Sequence, residues 1–211
     1  MSGTVVIDPG HGGTFEVGGS SWNNAISFSG VMEKSMTLQM ALLLRDALAA
    51  ADPAIKVFLT RETDINVALE ERAALARTKK ADRFLSIHFN GFDRRARGVE
   101  TLVRPVANGN VNHADDVAFA TRVQKAAHDT IKRFDAGTKN RGVKDQRLAV
   151  LNDVALGNTP VSAPCRACLL EIEFIDVEAV DTLLNTSPDA PRVRSAIANA
   201  IAKAIVDDLR T

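Results

Sequence analysis

Short β-branched runs alternate with stretches of helical periodicity along nearly all of this 211-residue chain, and that alternation admits few architectures. Strand-like runs fall at residues 4–8, 56–60, 83–88, 99–104, 148–151 and 167–174. Residues 33–51 place Met36, Met40, Leu43, Leu44 and Ala47 on one helical face, with Pro53 beyond the end. Asn66 is positioned to cap a helix reaching Lys79, with Leu69, Ala73 and Ala76 inward. Residues 113–134 form a third helix on the stripe Val117, Ala120, Val123 and Ile131, and helices near 177–185 and 190–210 close the chain. Strands separated by helices pair in parallel, because the chain must cross back to the same end of the sheet. The expected fold is α/β: one domain, residues 1–211, with a mostly parallel, mixed twisted sheet of about six strands and helices on both faces.

Bulk properties narrow the function classes. Lys and Arg together number 26, equal to Asp and Glu, so charge gives no ground for a nucleic-acid or anionic-membrane partner. No apolar run approaches the ~20 residues of a membrane span. The first strand begins almost at the N-terminus, so no signal peptide is expected. Cys165 and Cys168 lack the second cysteine pair of a structural zinc site and are expected to be free thiols. His113 and His128 fall on a polar helix face and are expected in solvent, as is the charged turn 94–97. The segment 10–15 lacks the last glycine of a dinucleotide fingerprint, and neither a G-x-x-x-x-G-K-[ST] loop nor a G-x-S-x-G elbow occurs.

Chemistry concentrates where apolar strands end. In "VVIDPGHGG", Pro9-Gly10 stops a buried strand and presents His11 just past its C-terminal end, the ligand-binding edge of an open α/β sheet. His88 closes "FLSIH", Glu33 opens the first long helix, and Glu171 lies inside "CLLEIEF", where a carboxylate is costly unless paired or metal-bound. Singly, each has a structural explanation: a hydrogen-bonded strand-end histidine, or a helix N-terminal carboxylate favoured by the dipole. Together, two His and one Glu form a catalytic zinc set, with a second Glu as general base. Alternation places Glu171 and Glu173 on one face of a strand, about 7 Å apart. Glu173 is then a group tuning Glu171, a substrate contact or a solvated rim residue. Trp22, in the loop "SSWNNAISF" between His11 and Glu33, either packs that loop down or walls a groove and contacts substrate.

Read in order, "VVIDPGHGG", "GVMEKSMTLQMALLLRDAL", "VFLTRETDINVALEERAALA", "ADRFLSIHFN", "GVETLV", "NRGVKDQRLAVL" and "CLLEIEFID" resemble the zinc-dependent N-acetylmuramoyl-L-alanine amidases of the type 3 family. The resemblance covers nearly the whole chain. It implies one Zn2+ held by His11, Glu33 and His88, and Glu171 as the catalytic carboxylate. It puts Arg141 in a segment beside the substrate cleft and makes Arg61 and Arg72 structural. The implied reaction is hydrolysis of the amide between the lactyl group of N-acetylmuramic acid and L-alanine in peptidoglycan, by a monomer that acts at the cell wall or periplasm without membrane insertion. A phage lysin and the excised domain of an exported amidase are both compatible with that. Rival readings are a zinc carboxypeptidase-like peptidase on stem peptides and a non-catalytic peptidoglycan-binding or regulatory domain. The chain departs from the family in carrying Glu173 where a small residue is usual, and in the length of its 14–30 loop. Some relatives cover their zinc with an extra helix before the "RGVK" segment. Here that stretch has room only for helix 113–134, whose stripe the core needs, so an uninhibited enzyme is expected.

Overall fold

In the computed structural model of the protein, which describes residues 3–159 and 164–211, Val5 and Ile7 of the first strand join one hydrophobic core and Val6 joins another; all three are fully buried. This is the period-2 signature of a strand covered on both sides. That strand, β1 (Thr4–Pro9), sits inside a six-stranded sheet with β2 (Lys56–Leu59), β3 (Arg83–Asn90), β4 (Val99–Val103), β5 (Asn140–Asp145) and β6 (Arg166–Phe174), in the order β2-β1-β3-β6-β4-β5. β2, β1, β3 and β6 run parallel; β4 is antiparallel to β6, and β5 is parallel to β4. The sheet is therefore mixed, and β1, β3 and β6 bring their C-terminal ends side by side.

The larger core lies between the sheet and α1 (Glu33–Ala51), α3 (His113–Phe134) and α5 (Ala190–Leu209). Met36, Met40 and Leu44 of α1, Ala120, Val123 and Ile131 of α3, and Ile197, Ile201 and Ile205 of α5 are all buried there. Each large apolar side chain so buried contributes about 1.5–3 kcal/mol. Among the described residues the opposite face carries α2 (Leu69–Lys79) and two short turns, with Ala73 and Ala76 packed against Val6, Phe84 and Leu169. A short α4 (Glu178–Asp181) leads into α5. The stripe of α3 is spent on the larger core, so α3 is a structural helix.

Several expectations are corrected. Residues 148–151 are not a strand: Ala149–Leu151 is a 3-10 turn, and Val150 and Leu151 are buried in the smaller core. The missing strand is β5, whose polar "NRGVKD" pairs on one side only and keeps most side chains in solvent. Asn66 does not cap α2, whose N-cap is Ala68. Its amide Nδ2 instead donates to the carbonyls of Phe15 (2.9 Å) and Ser20 (2.7 Å), tying down the long loop after His11. His128 is buried rather than solvated, with Nδ1 3.0 Å from Asp129 Oδ1, and His113 Nε2 lies 2.7 Å from Asp145 Oδ1. In the 94–97 turn Arg94 and Arg95 are exposed as expected, and of its arginines only Arg97 departs, half-buried and paired with Asp135. Cys165 and Cys168 are free and buried, and burial pushes both thiols up, as suits inert core residues.

Two buried arginines set the turn after β1. Arg72 donates to Asp8 Oδ1 (2.7 Å) and to the carbonyls of Pro9 (2.8 Å) and His11 (2.7 Å). Arg61 donates to the carbonyls of Pro9 (3.0 Å), Gly10 (2.9 Å) and Lys34 (2.8 Å). Burial raises the Asp8 carboxyl, but the Arg72 charge and hydrogen bonds from Ser86, Thr60 and Arg72 outweigh it and hold it below its ordinary 3.8. The stability Asp8 confers is thus present above pH 3.8 and lost as pH falls through its lower folded value. Arg72→Met strands that carboxylate and should destabilise the protein by about 3–5 kcal/mol. A urea midpoint equal to wild type would show that Ser86 and Thr60 satisfy Asp8 alone.

Candidate metal centre and active site

Three chain segments deliver the cluster. Pro9-Gly10 ends β1, and the Gly10 N–H donates to the Ile87 carbonyl (3.0 Å), locking the turn to β3. A Cβ on Gly10 would stand 2.2 Å from His88 Cε1, so glycine is needed there for the His88 ring to lie against the backbone. His11 follows in the left-handed region, at φ 63°, a conformation costly for a non-glycine residue and sustained here by Arg61 and Arg72. Its Nδ1 is 3.0 Å from both the carbonyl and the hydroxyl of Ser21, which orients the ring and directs Nε2 inward. Glu33 is the first residue of α1, and His88 lies in β3 next to Glu171 of β6.

The side chains meet. Glu33 Oε1 lies 3.2 Å from His11 Nε2 and 3.1 Å from His88 Nδ1, and the two imidazole rings stand edge to face at 4.8 Å. Glu33 also accepts from the Phe89 N–H (3.0 Å, Oε1) and the Ala25 N–H (2.9 Å, Oε2), so four groups position one carboxylate. Burial would raise it, but the imidazoles of His11 and His88 hold it well below the usual carboxylate range. One ligand atom from each of His11, Glu33 and His88 falls within 4.8 Å of the others. His11 Nε2 is buried and faces Glu33 Oε1 at 3.2 Å without the geometry of a hydrogen bond. Two imidazole nitrogens and a carboxylate oxygen converging in this way fit a divalent metal of zinc type.

Glu171 stands beside this set. Its Oε2 is buried and unpartnered among the described residues, and its carboxyl is pushed well above the ordinary range by burial, then by the charges of Glu33 and Glu100. A groove of about 460 Å³ contains Glu33, His88 and Glu171 together. A second cavity, about 170 Å³, opens on the His11 side. A carboxyl so placed, beside a cluster that fits a metal, is suited to general acid–base work.

Glu173 does not reach this groove. The pairing His88↔Glu171 is followed by Asn90↔Phe174, a one-residue shift that breaks the alternation of β6. Glu173 has no exposed surface. It accepts from the Gly98 N–H (2.7 Å) and the Thr138 hydroxyl (2.7 Å), which makes it an anchor for the turn before β4. The expected substrate contact is therefore corrected. Arg141 is placed nearer the site: its Nε donates to Glu100 Oε2 (2.7 Å), and Glu100 pairs across the sheet with Glu171. Sequence reading passed over Glu100, although a carboxylate inside "VETLV" carries the same signal that marks Glu171. Lys144 and Asn90 also bind Glu100, and these bonds, against burial, keep its carboxyl below the ordinary range.

An open α/β sheet carrying a His-Glu-His cluster and a free carboxylate at one edge is the arrangement of a hydrolase that works with a metal and a carboxylate base. Residues 5–205 match the family model of the Amidase_3 N-acetylmuramoyl-L-alanine amidases, and the chain belongs to that family. It is 30% identical over 200 residues to the amidase CwlM of Bacillus licheniformis, covering 95% of this chain and 68% of the relative. It is 28% identical over 205 residues to the endolysin of Bacillus phage SPP1, covering 96% and 66%. The catalytic domain of CwlV from Bacillus (Paenibacillus) polymyxa superposes with a TM-score of 0.76 at 25% identity, over 100% of this chain and 99% of that one. The protein is a peptidoglycan amidase of cell-wall lysis or remodelling.

Proposed function

We propose that His11, Glu33 and His88 hold one zinc ion and that Glu171 carries the proton of the reaction. The observation that supports this most is the buried, unpartnered Glu171 Oε2 in the groove that also holds Glu33 and His88. Zinc bound there supplies Lewis acidity for the lactyl carbonyl and for water. Glu171 takes a proton as water adds to the carbonyl carbon, then gives it to the L-alanine nitrogen as the C–N bond breaks. Burial raises its proton affinity, which suits it to taking the proton from water and holding it until the amine leaves. His11 and His88 stay neutral as ligands, with His11 oriented by Ser21.

Arg141, stacked 5.0 Å over the Phe174 ring and held by Glu100, contacts an anionic group of the substrate. Trp22 is 38% exposed, and its carbonyl accepts from the Gly12 N–H beside His11 (3.1 Å). Its ring lies 5.6 Å from the Lys34 ammonium and lines neither cavity beside the cluster, so it would meet substrate only at the outer rim. Trp22→Ala should raise KM severalfold at unchanged zinc content and Tm; a lower Tm with unchanged kinetics would assign it to loop packing.

The protein acts at the cell wall; among the described residues no helix is long and apolar enough to cross a membrane. With α3 spent on the core rather than laid over the site, it works without an activating partner. Product analysis on purified sacculi tests the reading. New L-alanine amino termini, formed without added partner, are expected. Release of a terminal stem residue would indicate a carboxypeptidase, binding without product a recognition domain, and activity only with an added partner an inhibited enzyme.

A further inference from the structure

Phe92 is 81% exposed, an unusual placement for an aromatic side chain one residue beyond the Gly91 that follows β3. The turn that carries it is fixed. Asp176 Oδ2 accepts from the N–H groups of Phe92 (3.0 Å) and Arg94 (2.8 Å). A Cβ on Gly91 would lie 3.0 Å from the Ala25 Cβ, so the turn is also pressed against the loop before α1. Preordering an exposed ring contributes nothing to a core, but it lowers the entropic cost of gripping a ligand. Phe92 lines the 460 Å³ groove that contains Glu171, and so does Ile26, which is 52% exposed. Asp176 lines it too, and its Oδ1 is buried with no hydrogen-bond partner among the described residues. An acceptor in that state lacks a donor.

The reaction gives the groove a direction. Glu171 protonates the departing amine, so the portion of substrate that leaves must lie on the Glu171 side of the metal ligands. The cavity with Ser20, Ser21 and Ala149 is lined by His11 and His88 and not by Glu171. We infer that the groove on the Glu171 side is the stem-peptide subsite, where Phe92 and Ile26 clamp apolar parts of the peptide and Asp176 Oδ1 accepts one of its amide N–H groups. The inference rests on the amidase reading and on Glu171 as proton carrier. Asp176 and Phe92 are specificity-determining residues and take no part in proton transfer.

Two variants separate this from a structural role. Phe92→Ala removes the clamp without touching the core. Asp176→Asn leaves an oxygen for the two turn N–H groups and puts an NH2 donor where Oδ1 stands. Each should raise KM about tenfold on an N-acetylmuramoyl-tripeptide, with kcat and Tm near wild type, and leave KM for N-acetylmuramoyl-L-alanine unchanged. Calorimetric binding of free L-Ala-γ-D-Glu-L-Lys to the zinc-loaded protein should weaken by a similar factor in both variants. Equal losses on the two substrates, or unchanged binding of the free tripeptide, would overturn the subsite. Failure of the amidase reading looks different, because wild type would then release no L-alanine amino termini from sacculi.

Discussion

Glu171→Gln keeps its zinc and loses at least about 100-fold in kcat. The substitution preserves shape and removes only the ability to take and give a proton. Metal retention is expected because the proposed ligand set is His11, Glu33 and His88, and Glu33 is fixed by Ala25 and Phe89 independently of Glu171. Gln fills the same space, and Glu171 Oε2 makes no hydrogen bond among the described residues that the amide would lose. The variant is therefore expected to be about as stable as wild type while nearly inactive. Steady-state kinetics on muropeptides, paired with a denaturant melt, reads both quantities. An active Glu171→Gln enzyme would move the proton carrier elsewhere, and Glu173 is no candidate, being fully buried on Gly98 and Thr138.

Much of the frame could be read from residue pattern. The run "VVIDP" and the helical stripes of 33–51 and 113–134 are apolar enough that only one packing hides them, and they form as expected. His11, Glu33 and His88 were visible because a polar residue at the end of an apolar element has to be accounted for. The failures have physical causes. β5 is an edge strand, and an edge pairs through backbone groups that leave no apolar pattern in "NRGVKD". The 148–151 run is apolar because it fills the smaller core as a turn, and apolarity alone does not distinguish a turn from a strand. Glu173 was misplaced because a β-bulge is invisible to period-2 counting. Asp176 and Glu100 act through partners distant in sequence, at Phe92, Arg94, Arg141 and Lys144, and long-range pairs of that kind leave no local signal.

His88→Ala bears most directly on the metal centre. His88 is held in a strand between β1 and β6, so truncating its ring leaves the backbone of the site in place. The remaining set, His11 and Glu33, has too few protein ligands for a catalytic zinc site. Loss of a group that only orients a ligand weakens metal binding 10–100-fold, so loss of a ligand itself should weaken it by at least about 100-fold. The measurement is zinc per chain by elemental analysis after dialysis against a buffered free-zinc series, with wild type alongside. The account predicts one zinc per wild-type chain and near-zero zinc in His88→Ala at the free zinc that saturates wild type. Full occupancy of the variant at that same free zinc would remove His88 from the ligand set and contradict the account.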